Sequence, residues 1–228
     1  RYLARKKLLQ NNDKTFLKEL CSTLTKYNIG IISTGATAKK IISLGFKCKE
    51  LSDLTKFKEI LDGRVKTLNS KIHASILFKR DKSSHEKIFK KLKFPKIDYV
   101  IVNFYPFSKI SIKKNLDKKI ELIDIGGPSM IRSASKNYES VTTISKKKYY
   151  KSLIKELEKN NGKTTMAFRE RMAKENFKLT SDYDLSIFKW FNKNNKKTGK
   201  KIKIKYGENP NQKAYFIKNS KSNIFNSQ

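Results

Sequence analysis

The chain of 228 residues carries 53 lysines and arginines against 20 acidic residues, a formal net charge of +33 at pH 7. Its length can bury a full core, and its two cysteines, Cys21 and Cys48, are too few and too widely spaced for a disulfide framework or a CxxC metal site. No apolar run reaches membrane-helix length and no signal peptide opens the chain, which predicts a soluble, cytoplasmic protein without membrane contact.

The high positive charge first points to a nucleic-acid partner, because lysine and arginine neutralise phosphates and release counterions. The lysines, however, are spread through every segment and accompany abundant asparagine and isoleucine. The sequence shows no zinc finger, no interleaved aromatics and no basic helix leading into heptads. We therefore interpret the charge as solvated surface and expect at most nonspecific nucleic-acid binding.

Predicted strands and helices alternate along the chain. Apolar residues at helical spacing predict helices over 15–27, from 37 to near Gly45, and over 54–61, 84–94, 147–159 and 165–191. Short apolar runs predict strands ending at Leu9 and over 31–32, 48–51, 97–107 and 141–145. This alternation is typical of an α/β fold with a doubly wound, mainly parallel sheet and helices on both faces, here with a C-terminal helical region.

A hydroxyl-rich loop with one glycine, residues 33–37, lies between the second strand and its helix. Backbone N–H groups at a helix start and nearby hydroxyls bind phosphate in such loops. Arg64, Lys66 and Lys71 follow within eight residues and would offer positive charge to an anionic substrate. Simple helix capping also explains the loop and a solvated edge also explains the cations, so both interpretations stay open.

The most informative stretch covers residues 123–137, where a buried strand is predicted to end in two glycines and a helix to begin. Pro128 belongs at the first helical position, and Asp124 would lie at the carboxyl edge of the sheet, where open α/β folds bind ligands. We expect Lys136, two turns into this helix, to point back and bring an ammonium and a carboxylate into one site. A well-capped helix without a site is the alternative.

Six motifs follow one another along nearly the whole chain: ISTGATAKK, DGRVKTLNSKIHASIL, IDYVIVNFYPF, IDIGGPSMIRSASKN, TSDYD and KYGENPNQ. In this order they resemble the bifunctional purine-biosynthesis family, which carries IMP cyclohydrolase at its N-terminus and AICAR transformylase at its C-terminus. The resemblance implies a homodimer and a methylglyoxal-synthase-like first domain over 1–192. A polar, lysine-rich run over 193–203 predicts a linker, followed over 204–228 by the truncated start of the transformylase domain.

The resemblance implies ring closure of formyl-AICAR (5-formamidoimidazole-4-carboxamide ribotide) to IMP with loss of water, the last step of de novo purine biosynthesis. The family's catalytic positions fall on Lys66, Tyr105, Asp124 and Lys136. Its substrate-binding positions fall on Asn12, Lys14, Ser33, Thr34, Gly35, Thr37, Arg64, Thr67, Asn103, Ile125, Gly126 and Gly127. The cyclohydrolase is expected to need no metal and no cofactor, whereas 10-formyltetrahydrofolate serves the transformylase half, whose catalytic residues lie in the family beyond residue 228.

The chain departs from the family at several site positions. Gln10 and Asn12 stand where the family has serines, Ala36 replaces a glycine and Asn69 replaces a histidine. Because the four catalytic positions are kept, we expect an active cyclohydrolase. A non-catalytic module of the same fold that binds a phosphorylated metabolite is the alternative, and His73 is interpreted as a packed or hydrogen-bonded residue.

Overall fold

A computed structural model describes residues 2–6, 14–61, 64–103, 107, 119–195, 201–204 and 214–217. Within these residues, a five-stranded parallel sheet has the order β3-β2-β1-β4-β5. Its strands are β1 Tyr2–Lys6, β2 Ile31–Ser33, β3 Cys48–Glu50, β4 Tyr99–Asn103 and β5 Thr142–Ile144. The central strand β1 pairs with β2 on one side and β4 on the other, which confirms the predicted doubly wound sheet.

Helices connect these strands. They are α1 Lys14–Lys26, α2 Gly35–Ser43, α3 Leu51–Thr55, α4 Ser70–Leu77, α5 Ser83–Leu92, α6 Gly126–Lys136, α7 Tyr150–Lys159 and α8 Met166–Asn195, with a 3-10 turn at Lys147–Tyr149. The helix predicted over 54–61 instead ends early, because Lys56 at its C-cap adopts the left-handed conformation with φ 56°. None of the helices in the described ranges combines the length and apolar character that a membrane span requires.

The sheet separates two apolar clusters, because neighbouring residues of a strand point to opposite faces. On one face, α1, α7 and the start of α8 cover Ile101 and Ile144. On the other face, α4 and α6 cover Ile32, Val100 and Val102. β4 is therefore buried on both sides, as its unbroken apolar sequence predicts.

The strand predicted before α6 is absent, because residues 119–120 are helical, 121–122 form a turn and 123–125 are irregular. The N–H groups of Leu122 and Ile123 donate to carbonyls three residues earlier, at 3.2 and 2.9 Å. The apolar side chains of this segment are only partly buried, and Ile125 is 56 % exposed. Pro128 is the third residue of α6 rather than the first, but it still lies in the first turn, whose N–H groups have no helical acceptor.

The chain divides into two compact units, Arg1–Asp184 and Leu185–Gln228. The five-stranded sheet belongs to the first unit, and an antiparallel pair, β6 Lys201–Ile204 with β7 Ala214–Ile217, belongs to the second. The predicted linker, 193–203, overlaps regular secondary structure at both ends. Helix α8 continues to Asn195, and strand β6 starts at Lys201. The domain boundaries themselves stay predictions.

Candidate active site

The candidate site lies at the carboxyl ends of the parallel strands. The strand order changes direction at β1, and open α/β sheets bind ligands in the crevice at such a point. Ser33 ends β2, Glu50 ends β3 and Asn103 ends β4. Predicted site residues that are far apart in sequence are therefore brought to one edge of the sheet.

The loop after β2 forms the start of α2. Ser33, Thr34 and Thr37 are buried, and Thr34 is the extended N-cap residue. Gly35 has a φ of +46°, a left-handed conformation that glycine adopts at little steric cost. Its N–H donates to Oε2 of Glu50 over 3.2 Å, so a carboxylate already lies at this helix start.

Lys66 lies beside the same loop. Its Nζ is 3.4 Å from the position that a Cβ would take on Gly35. The ammonium also donates to Oε2 of Glu59 in an ion pair. Gly35, Lys66 and both glutamates, Glu50 and Glu59, line a cleft of about 410 Å³, a volume within the range of small-molecule sites.

Arg64 pairs with Glu121, in the segment before α6. Its Nε donates to Oε2 over 3.1 Å and its Nη2 donates to Oε1. At least half of each side chain is exposed, so this pair contributes less than about 1 kcal/mol. Thr67, three residues further along the chain, is buried. The Arg64 guanidinium is thus held by a carboxylate from the segment before α6.

Asp124 lies directly before α6 and is only 7 % exposed. Its Oδ1 accepts a hydrogen bond from the N–H of Gly127 over 3.0 Å, and its own N–H donates to Oη of Tyr183 over 2.8 Å. A Cβ on Gly127 would come within 2.5 Å of Oδ2, so glycine is required for the carboxylate to pack against the helix. Asp124 is therefore held at its carboxylate by Gly127 and at its backbone by Tyr183.

Lys136 does not lie beside Asp124 along this helix. It is an exposed residue in the last turn of α6, whereas Asp124 precedes the first turn. The 11 residues of α6, at about 1.5 Å each, separate the two helix ends by about 15 Å. The expected convergence was wrong because a side chain that leans toward the N-terminus covers about one turn. A catalytic role for Lys136 stays a prediction.

Two tyrosines that the sequence analysis did not assign to the site hold predicted site residues. Tyr183 packs edge-on against Phe107 and accepts the Asp124 N–H, and burial raises the pKa of its hydroxyl. Tyr150 accepts a hydrogen bond from Nδ2 of Asn103. Oδ1 of Asn103 is buried and has no partner among the described residues. Tyr183 lies in the TSDYD motif, which is a sequence signal for its position.

The remaining predicted site residues differ in their position in the fold. Lys14 is the first residue of α1, Ile125 is exposed, and Gly126 is buried at the start of α6. Asn12 and Tyr105 lie outside the described residues, and their roles stay predictions. Within the described ranges, no group of three or more His, Cys, Asp or Glu side chains could hold a metal ion.

Two departures from the family fit the structure without strain. Ala36 lies within α2, is exposed, and is not among the residues with positive φ. Asn69 is the N-cap residue of α4, and its side chain accepts a hydrogen bond from the N–H of Lys71 over 2.9 Å. Asparagine is a favoured residue for this role.

His73 joins α4 to α6. Its Nδ1 lies 2.9 Å from Oγ of Ser133, which confirms the hydrogen-bonded interpretation. Burial lowers the pKa of His73 below its ordinary 6.5, and a backbone hydrogen bond with Thr67 opposes this shift. The neutral imidazole is therefore the form that suits the folded chain.

Stability is expected to rise with pH up to about 6.5 through His73. Because the pKa of His73 is lower in the folded chain, the unfolded chain binds this proton more readily and stability falls as pH drops through the folded pKa. Urea unfolding between about pH 5 and 7.5 should show a steeper slope for the unmodified chain than for His73→Gln. His85→Gln, the variant of the second histidine, is measured beside it, and equal flattening by both variants would contradict the assignment to His73.

Two family profiles match the chain. The profile described as MGS-like domain matches residues 17–129, and the one described as AICARFT/IMPCHase bienzyme matches residues 134–228. The bifunctional purine biosynthesis protein PurH of Bradyrhizobium diazoefficiens is 41 % identical over 219 residues, covering 92 % of this chain. PurH of Acetivibrio thermocellus is 39 % identical over 234 residues, covering 97 % of this chain. The chain belongs to the PurH family.

The chain spans only 41 and 45 % of the length of these two PurH proteins. A third relative, PurH of Elusimicrobium minutum, is 40 % identical over 230 residues, covering 96 % of this chain and 44 % of that protein. The crystal structure of ForH superposes with a TM-score of 0.72 at 27 % identity, covering 84 % of this chain and 95 % of that one. Together with the MGS-like profile, this likeness confirms the predicted methylglyoxal-synthase-like α/β fold.

Proposed function

We propose that the chain is an IMP cyclohydrolase, which closes the ring of formyl-AICAR to give IMP and water in de novo purine biosynthesis. The observation that carries the proposal is the buried Asp124, at the edge of the sheet that also holds the Lys66 cleft. Its carboxylate accepts the Gly127 N–H, and its backbone N–H donates to Tyr183. Membership of the PurH family and the match to the AICARFT/IMPCHase profile support it.

Ring closure joins the carboxamide nitrogen to the formyl carbon of the same molecule. The nitrogen is a poor nucleophile because its lone pair is delocalised, so the site must hold the two groups face to face. Attack forms the new C–N bond and turns the formyl oxygen into an oxyanion, which is protonated. The carboxamide nitrogen loses one of its two protons and the formamido nitrogen loses its only one. The C–O bond then breaks, the oxygen leaves with two protons as water, and a C=N bond completes the ring. The protein must therefore stabilise an oxyanion and move protons.

Three described residues fit these tasks. Lys66 offers an ammonium that can stabilise the oxyanion and donate a proton to it. Asp124 offers a fixed carboxylate that can accept a proton from the carboxamide nitrogen. Asn103 offers a buried acceptor without a partner among the described residues, which a ribose hydroxyl would satisfy. Tyr105 is proposed to orient the formyl group, and Lys136 to share in proton transfer.

The phosphate of the substrate is proposed to bind at the start of α2. Backbone N–H groups at a helix start favour anions, and the positive φ of Gly35 opens that end to close approach. The residues proposed to contact the phosphate are Asn12, Lys14, Ser33, Thr34, Gly35, Thr37 and Arg64. Thr67, Ile125, Gly126 and Gly127 are proposed to lie along the ribose and the base.

The proposal also covers the oligomeric state, the cellular compartment and the cofactors of the enzyme. The active species is proposed to be a homodimer in the cytoplasm that uses no metal and no organic cofactor. Formyl transfer from 10-formyltetrahydrofolate is proposed for whole PurH proteins, because this chain covers 41 to 45 % of the relatives' length. Weak nucleic-acid binding through the net charge of +33 is expected to be nonspecific.

Turnover of formyl-AICAR tests the proposal directly. Purified chain is incubated with the ribotide while ultraviolet absorbance is recorded, and the product is identified by chromatography and mass. We expect IMP to form well above the rate in a sample without protein. A folded chain that binds the ribotide but forms IMP no faster than this control would contradict the cyclohydrolase and favour the binding module.

A further inference from the structure

Two donors proposed for the phosphate each contact a carboxylate of the chain. The Gly35 N–H donates to Glu50, and the Arg64 guanidinium donates to Glu121. The ammonium of Lys66, which lies beside Gly35, donates to a third carboxylate, that of Glu59. Acidic residues are scarce, 20 against 53 basic ones. Random scatter of so few acids over the surface would seldom place a carboxylate on each of Gly35, Arg64 and Lys66. These contacts therefore point to a role in ligand binding.

Glu50 reaches the helix start through strand pairing. It ends β3 directly beside Ser33 of β2 in the parallel register, two residues before Gly35. From there its Oε2 accepts the Gly35 N–H over 3.2 Å. A carboxylate is favoured at this position, because the helix dipole and the charge-assisted hydrogen bond both stabilise the anion.

The Gly35 N–H cannot serve two anions at once. A single N–H offers one proton, and a phosphate oxygen that takes it must displace Glu50, because the two anions would also repel each other. The ammonium of Lys66 differs, since its three protons allow it to keep Glu59 and still donate to a ligand oxygen. Glu50 is thus the carboxylate that a phosphate must displace.

We infer that Glu50 is a specificity-determining residue of the phosphate subsite. Its carboxylate excludes weakly held anions from the Gly35 N–H and gives way to a phosphomonoester dianion whose remaining parts bind elsewhere in the cleft. A chain of net charge +33 attracts polyanions in general. The internal carboxylate keeps the subsite selective against them, and the identity of the nucleotide rests on the proposed function.

The test compares a ligand with its phosphate-free counterpart. Calorimetry with IMP and with inosine is carried out on the unmodified chain and on Glu50→Gln, which keeps the shape of the side chain. We expect Glu50→Gln to bind IMP about 3- to 10-fold more tightly, since the competing charged hydrogen bond is weakened, with inosine unchanged. Asp53→Asn is the matched control, because it removes an equal charge from an exposed residue three positions away.

Several outcomes would overturn the inference. These are an unchanged or weaker IMP affinity in Glu50→Gln, an equal gain in Asp53→Asn, or an equal gain for inosine. Ribose 5-phosphate against ribose is the second ligand pair, and failure of every phosphate ligand to bind any variant also overturns it. Tighter IMP binding by Glu50→Gln in a chain without turnover would support the inference while contradicting the proposed cyclohydrolase.

Discussion

Replacing Lys66 by alanine is expected to lower kcat for ring closure by about 100- to 1,000-fold, the usual cost of removing an oxyanion-stabilising group. The Lys66 ammonium lies against Gly35 and lines the cleft. An alanine leaves the developing negative charge to water, which is a less preorganised partner. The effect on KM is expected to be smaller, because the charge develops only as the bond forms.

Steady-state kinetics with formyl-AICAR measure this effect. Lys58→Ala is the matched control, since Lys58 is an exposed lysine that lines the same cleft, and its kcat should stay within about threefold of the unmodified value. A Lys66→Ala variant that raises KM while keeping kcat would place Lys66 on the phosphate instead. Equal losses in both variants would assign the effect to the total charge of the cleft.

Gly127→Ala is expected to destabilise the fold by about 1 to 3 kcal/mol, the usual cost of overpacking, and to abolish most turnover. The added Cβ would lie 2.5 Å from Oδ2 and 3.0 Å from Cγ of Asp124. The carboxylate cannot simply rotate away, because Gly127 and Tyr183 hold this residue through its side chain and its backbone. Either the start of α6 or the carboxylate must move.

Urea unfolding and kcat are measured together for this variant. Gly30→Ala is the control, because a Cβ there meets nothing within 4 Å and the backbone has no positive φ. In a chain that already carries Asp124→Ala, Gly127→Ala should lower the free energy of unfolding much less than it does in the unmodified chain, since the clashing carboxylate atoms are gone. The close packing would not be required if the two substitutions lowered the free energy of unfolding additively. The same would follow from a Gly127→Ala chain with full stability and turnover.

Much of the fold could be predicted because burial leaves a pattern in sequence. The apolar run of β4 predicts a strand covered on both faces, and helical spacing predicts α8. The same reasoning fails at Ile123, which lies in an apolar run and forms a turn hydrogen bond. A partly buried turn can have the same amino-acid composition as a strand. It also fails at Lys56, where a non-glycine residue adopts a left-handed conformation and ends a helix.

The candidate site could be predicted only in part. The resemblance to the family assigned Gly35, Lys66 and Asp124 to the site, and the glycine, ammonium and carboxylate agree with the chemistry required there. The partners Glu50 and Tyr183 depend on strand register and on how a distant helix packs, which no local pattern contains. The separation of Lys136 from Asp124 follows from the bounds of α6, Gly126–Lys136, which place the two residues at opposite ends of the helix. The sequence did not give these bounds.

The position of β1 also has a consequence for how the chain folds. Its residues come first in the chain, yet Tyr2 pairs with both Ile31 and Tyr99, so β1 alone joins the β2–β3 side of the sheet to the β4–β5 side. Pairing with β4 must close a loop of nearly half the chain, a slow, entropically costly step. During synthesis, the edge that carries Gly35 and Asp124 can therefore be completed only after β4 has left the ribosome.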